Sequence, residues 1–475
     1  MSSRGALRGL ASGAPPARPS DRMPDFAAAA AVASRTVADW PADRPIRLSK
    51  KTSNLFRYRR DAEAALDLSA FDGVYWVDPD IRRAMVGGLT TYEKLVARTL
   101  PHGVSPMCVP QLRTITLGGA VTGLGIESPS FRNGCPHETV VAMDVLTGTG
   151  EVVRAEPGGE YADLFYGFPN SYGSLGYALR LEIEVEPVAD YVALTHVPCT
   201  SYTEATAVLT QVARERTWDG LQVDFIDGTA FGPGETYVTL GRYTDDPGPA
   251  SDYTGMQIYY RSLQQRSSDR LTTHDYLWRW DTDWFWCSRA MGAQNPMIRR
   301  FWPKSLLRSD VYWKLVALDR RLQFSARLDS RRGLPPREPV VQDVEIPIEA
   351  LPEFLEFFDR EVGISPVWLC PLQQRDPDAY WSLYSFDPSK IYVNVGFWST
   401  VPRTDGGDPE DGAINRAIEA EVTRLGGRKS LYSTSFYDRD EFYRIYGGDD
   451  YWRLKQRYDP DSRFAELYDK CVTPV

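Results

Sequence analysis

The chain has 475 residues, 43% apolar and 12% aromatic, with a formal charge of -10, so it can bury two or three cores and is too apolar for disorder. The excess of acid over base would repel a phosphate backbone, which argues against a nucleic-acid partner. Six cysteines (Cys108, Cys135, Cys199, Cys287, Cys370, Cys471) are scattered with no CxxC pair, so no zinc site or disulfide framework is expected and the thiols are read as reduced and cytoplasmic.

Residues 1–22 are rich in Ser, Ala, Gly, Pro and Arg and contain no apolar stretch long enough for a signal-peptide core. Residues 1–42 are expected to form a disordered or extended tail, and the Ala-rich run from Phe26 to Ala33 is far short of a membrane span. From Val74 two strands, VYWVDP and AMVGGLT, precede a helix from Thr90 to about Arg98. The segment VVAMDVLTGTGEVVRAEP predicts a hairpin, because Gly148 and Gly150 suit a tight turn. Between Ala178 and Val188 apolar Leu179, Leu181, Ile183 and Val185 alternate with Arg180, Glu182, Glu184 and Glu186, the pattern of a half-buried strand.

Beyond Pro187 the pattern becomes strands interleaved with longer helices. A helix from Glu204 to Glu215 is followed by strands LQVDFID and ETYVTLGRY. A second unit starts at Val340 with strand VVQDVEIP, a helix from Leu351 to Val362, strands SPVWLCP and IYVNVGFW, and a helix striped by Ile414, Ile418, Val422 and Leu425. Two such units predict one antiparallel sheet backed by helices, so the fold class is α+β. Residues 245–335 have weak periodicity and many bulky aromatics.

The segment TLGGAVTGLGIES, Thr116 to Ser128, carries most information. Gly118, Gly119, Gly123 and Gly125 beside Thr116, Thr122 and Ser128 would let backbone amides approach a diphosphate, although such glycines also serve plain tight turns. A dinucleotide-binding turn would use GLGIES and Asp144, but its helix would run through Pro129 and Pro136, at a cost of about 3 kcal/mol each. Upstream, Lys50 and Lys51 precede Thr52, Ser53 and Asn54, a polar loop with cationic support. Downstream, Gly173 and Gly176 lead into the alternating strand, and the chain closes with YWRLKQRYDP.

These segments in this order resemble the FAD-binding module of the vanillyl-alcohol-oxidase (PCMH-type) family of flavoproteins. Within it KKTSNLF, TLGGAVTGLGIES, ADLFYGFPNSYGSLGYALRLEIEVEP, VVQDVEIP, PVWLCP and DRDEFYRIYGGDDYWRL resemble the sterol delta-24 reductase branch. The resemblance implies an FAD-binding domain of two α+β subdomains over 43–188, a substrate-binding cap with an antiparallel sheet flanked by helices over 189–428, and a segment, 429–475, returning to the first domain. It implies FAD contacts at Lys51, Thr52, Ser53, Asn54, Thr116, Leu117, Gly118, Gly119, Thr122, Gly123, Gly125, Ile126, Glu127, Ser128, Gly173, Gly176 and Lys455. Many members bind FAD covalently through a His or Cys in the first two segments, and residues 49–55 and 116–128 contain neither, so dissociable FAD is expected.

The branch implies NADPH as electron donor and hydride addition to an isolated carbon–carbon double bond of a lipid. Either a 10-methylene fatty acyl chain or a sterol side chain would serve, with an alcohol or lactone oxidase as the alternative. Sterol reductases of the branch carry an amino-terminal membrane anchor that this sequence does not show, so a cytoplasmic protein is expected, with peripheral membrane contact through 274–302. There the run HDYLWRWDTDWFWC suits a lipid tunnel, a bilayer belt or ordinary core packing. Tyr392 and Asn394, on one face of IYVNVGFW, and Asp343 are the catalytic candidates, with Glu127 a further possible acid. His102, His137, His196 and His274 are read as structural or surface residues.

Overall fold

The alternating segment forms the central strand of the first sheet. In the computed structural model, which describes residues 25–50, 56–57, 65–322, 327, 330–404 and 406–472, strand Tyr177–Pro187 lies between Arg83–Gly87 and Val140–Leu146, with Val74–Asp78 and Val152–Ala155 outside them. All the pairings are antiparallel. Leu181, Ile183 and Val185 enter one core with Leu95 and Val96 of helix Tyr92–Thr99, while the alternate positions stay half-exposed. The hairpin closes at Leu146↔Val152, with Gly150 at φ +84° in its turn. Asp144, the acid a dinucleotide turn would have used, instead pairs with Arg180 across the ladder at 2.7 Å.

The second sheet has eight strands, all antiparallel. In order they are Ser268–Thr272, Tyr191–Cys199, Glu235–Thr244, Phe225–Gly232, Val367–Leu372, Tyr392–Pro402, Arg337–Pro347 and Arg428–Lys429. The two strand-and-helix units join where Gly228 faces Leu369. Period-two alternation gives this sheet two different faces. Val344, Leu369 and Val395 point back onto helices Tyr202–Glu215, Leu351–Glu361 and Ala413–Arg424. The alternate residues, among them Asp343, Trp368, Cys370 and Asn394, look the other way, and Trp368 and Cys370 there share a core with Trp280 and Phe285.

Two expectations need correction. Residues 26–38 are not a loose tail: Phe26–Ala38 is a helix capped by Asp25, which buries Ala30, Ala33 and Val37 against Leu66, Phe71, Leu146 and Phe464. Helix-forming alanines spaced three and four apart explain this. The aromatic run is not a bilayer belt either, since Trp278, Trp280, Trp284 and Trp286 are all buried. Carboxyl-terminal helices Arg439–Ile445 and Gly448–Tyr458 pack into the first sheet's core through Phe442, Tyr451 and Leu454.

Candidate functional site

A cavity of about 560 Å³ runs between the two sheets. At its polar end the glycine segment folds as a short helix, Leu117–Gly123, rather than an open loop. Thr116 caps it, accepting from Gly119 N at 3.2 Å, while Leu117 N and Gly118 N donate to the Thr90 and Gly88 carbonyls, both at 2.9 Å. Lys50 Nζ donates to Thr116 Oγ1 at 3.0 Å. A Cβ on Gly119 would lie 2.9 Å from that hydroxyl and 3.2 Å from that ammonium. Glycine here leaves room beside a cation and a hydroxyl, an arrangement that fits the diphosphate of FAD.

Thr116, Gly118, Gly119, Thr122, Gly123, Gly125, Ile126, Glu127 and Gly173 all line the cavity. Gly173 holds φ +75°, and a Cβ there would come within 2.8 Å of the Tyr177 ring. Thr122 Oγ1 donates to Gly118 O at 2.7 Å, within its own helix. Four expected contacts point elsewhere. Leu117 is buried in the core, and Ser128 Oγ lies 3.1 Å from the Tyr276 hydroxyl. Gly176 packs against Leu146 O. Lys455 is buried, its ammonium donating to Ser174 O at 2.9 Å, to Phe464 O at 2.7 Å and to Asp459. Lys455 thus fixes the loop beside the cavity without lining it. Lys51, Thr52, Ser53 and Asn54 lie outside the described residues.

At the other end the walls are aromatic: Trp284, Phe285, Trp368, Trp398 and Tyr432. Phe285 packs on Trp398 with ring centroids 4.4 Å apart, and Trp284 stacks on Phe56 at 5.7 Å. Trp284 and Phe285 both have positive φ, 47° and 57°. Bulky residues rarely adopt that conformation, and here it turns two consecutive rings toward the cavity.

Asp343 is the carboxyl at this end. Asn394 Nδ2 approaches its Oδ1 at 3.5 Å and Tyr432 hydrogen-bonds to it, while Trp398 Nε1 donates to the Tyr432 hydroxyl at 2.8 Å. Burial pushes Asp343 up to about 7, against the two hydrogen bonds that favour its charged form. Asn394 does not line the cavity but orients Asp343. Tyr392 does not line it either; its hydroxyl accepts from Asp387 N at 3.3 Å and its ring packs on Phe386.

A second acid, Glu127, also lines the cavity, and burial raises it to about 8. None of the four histidines is among the lining residues. His137 and His196 are buried, and desolvation lowers them to about 3 and about 4. No His or Cys side chain lines the cavity among the described residues.

Tyr432, Trp398, Gln111, Arg57 and Gly88 also line the cavity and were not singled out by sequence. Only Gly88, in the GG pair of a strand end, left a legible signal: a Cβ there would collide with Ala178 O at 1.9 Å.

Comparison with known proteins agrees with this geometry. An FAD binding domain matches residues 28–156. The Delta(24)-sterol reductase of Arabidopsis thaliana is 24% identical over 444 residues, covering 87% of this chain and 77% of its own. The Delta(24)-sterol reductase of Mus musculus is 25% identical over 399 residues, covering 81% and 72%. Cytokinin dehydrogenase 5 of Arabidopsis thaliana is 31% identical over 126 residues, covering 26% of this chain and 23% of its own. With a glycine-lined, cation-supported cavity and these likenesses along most of its length, the chain is an FAD-binding oxidoreductase of α+β PCMH-type fold, similar to the sterol reductase branch.

Proposed function

We propose that the chain reduces an isolated carbon–carbon double bond in a lipid, with dissociable FAD and NADPH as electron donor. The observation that carries this reading is one cavity joining the glycine end to an aromatic, water-poor end that holds a titratable carboxyl, Asp343. Bound FAD would supply hydride to the alkene. Lys50 and the Thr116 hydroxyl would hold its diphosphate in the room left by Gly118 and Gly119, and Trp284, Phe285, Trp368 and Trp398 would enclose the apolar substrate.

An unactivated alkene accepts hydride only if its other carbon takes a proton at the same stage. Asp343, at the aromatic end, can hold such a proton near neutral pH, and Tyr432 and Asn394 orient it. Positive character falls best on a tertiary carbon, which both a methylene-branched acyl chain and a trisubstituted sterol side chain provide. We favour the acyl chain, 10-methylene to 10-methyl. The proposed domains are 43–188, 189–428 and 429–475, the middle one being the cap that contributes Asp343 and all of the aromatic wall but Tyr432.

Anaerobic NADPH should bleach the flavin, and a 10-methylene acyl substrate should then restore its colour. Peroxide release with an alcohol and no response to NADPH would refute the reading. Met297, Ile298 and Phe301 are exposed beside Arg300, and we propose that they, rather than the buried tryptophans, rest on an anionic bilayer. Among the described residues, no helix is long and apolar enough to cross a membrane.

A further inference from the structure

Glu127 has no role in the mechanism above, yet it lines the same cavity as Asp343. Its Oε1 accepts from Gln111 N at 2.9 Å. No hydrogen bond of ordinary geometry reaches its Oε2, or either atom of the Gln111 side-chain amide, among the described residues, although the Gln111 side chain lies close enough to favour the charged carboxylate. Two more buried polar atoms in the same neighbourhood, Ser105 Oγ and Arg279 Nε, are equally without a partner. Protein interiors rarely leave such a group of donors and acceptors unmatched, and ordered water is the usual partner.

Room for that water exists behind Glu127. A small void of about 10 Å³, the space of one water molecule, is lined by Ser105, Gln111, Glu127, Ser128 and Arg279. It shares Gln111 and Glu127 with the main cavity. It also shares Met107, Glu186 and Tyr243 with an open groove of about 760 Å³. In that groove Arg132 holds Glu186 through two hydrogen bonds, 2.7 and 2.8 Å. The groove and the one-water void therefore have walls in common, as do the void and the cavity, with Glu127 in the wall between the last two.

We propose that Glu127 is the inner end of a water-mediated proton path that enters from the Arg132–Glu186 groove and reprotonates the closed cavity. The inference rests on the proposed reduction, in which one carbon takes hydride and the other a proton, so that each turnover draws one proton from solvent. Substrate and cofactor block the main cavity while that proton is being used, and a separate path lets it be replaced. A relay acid must hold its proton at working pH. Burial keeps Glu127 near 8, with Asp227 adding to the rise, while Gln111 and Arg279 oppose it. Tyr92, Cys108 and Cys370 also face it and are themselves raised by burial, so they stay neutral.

The test uses the FAD-loaded enzyme with hexadecane, which carries no carbonyl and no double bond, filling the aromatic end of the main cavity. Infrared spectroscopy follows the carbonyl stretch of protonated carboxylic acids as the protein is mixed into heavy water. Glu127→Gln is expected to remove one band. Ser105→Val replaces the hydroxyl at the void with a methyl group, and is expected to slow the deuterium shift of that band at least about tenfold with flavin absorbance and melting midpoint unchanged. Absence of the band from the parent protein, or equal exchange in Ser105→Val, overturns the path. If Ser105→Val melts early, Val109→Leu crowds the same void and the same comparison decides. No alkene enters this measurement, so a protein that exchanges as expected yet reduces no lipid refutes the proposed function and leaves the path standing.

Discussion

Replacing Asp343 by Asn isolates the proton from the geometry. Asparagine keeps the size of the side chain and can still accept from Asn394 and Tyr432, the two groups that hold the carboxyl, but it has no acid proton to give. Positioned general acids contribute about 10²- to 10⁴-fold to rate, and the variant should lose that much in the step that restores flavin colour. The pH profile carries the sharper signature. With Asp343 near 7, about half the molecules hold the proton at neutrality and about one in a hundred at pH 9. The parent's rate should then fall about tenfold per pH unit above 7, while Asp343→Asn should be slow and flat across that range. The assay is an anaerobic single turnover: enzyme reduced by NADPH, mixed with alkene, flavin absorbance followed by stopped flow. Unchanged flavin reduction shows that the fold and cofactor site survive. A variant that reoxidises within about threefold of the parent and keeps the same alkaline limb refutes Asp343 as the donor.

Gly119→Val should insert carbon between Thr116 Oγ1 and Lys50 Nζ and lower FAD affinity about tenfold or more; flavin content after dialysis against free FAD measures it. Lys455→Met should leave buried Asp459 without its cation and cost about 3–5 kcal/mol, seen as a lower urea midpoint, with any flavin loss following unfolding rather than preceding it. Asp343 and Glu127 both have folded-state values above their unfolded ones. Their contribution to stability is therefore complete below about pH 4 and is lost as pH rises through about 7 to 8. Asp343→Asn and Glu127→Gln should flatten the fall of the FAD-free protein's melting midpoint over that window. Replacing Met297 and Phe301 by Ser should abolish co-sedimentation with anionic liposomes; binding that persists rules out that patch.

Elements with strong local pattern were legible in the sequence. The strict alternation from Leu179 to Val185 gave its strand and buried face, and the Gly148–Gly150 turn its hairpin, because period and turn chemistry are properties of short segments. The glycine segment was legible as a place but not as a shape. Thr116 caps it as a helix and the Gly88 and Thr90 carbonyls accept from its first amides, and those carbonyls come from the turn after strand Arg83–Gly87. Tyr392 and Asn394 share a face, as the alternation implied, yet only their neighbour Asp343 reaches the cavity. Alternation fixes which way a side chain points, not which row of the sheet lies over an opening. Tyr432 and Gln111 sit in irregular segments with no period to read. The Phe26–Ala38 helix was missed because its apolar face is made of alanine, whose burial depends on the partners Leu66 and Phe464 brought from elsewhere.

Three of the thirteen tryptophans, Trp284, Trp368 and Trp398, line the cavity that would hold the flavin, close enough to pass it their excitation. Indole emission overlaps flavin absorption, so these three should go dark when the cofactor enters while the remote ones stay bright. The protein thus carries its own optical gauge of occupancy, and Trp398→Phe should dim that response without touching the glycine end.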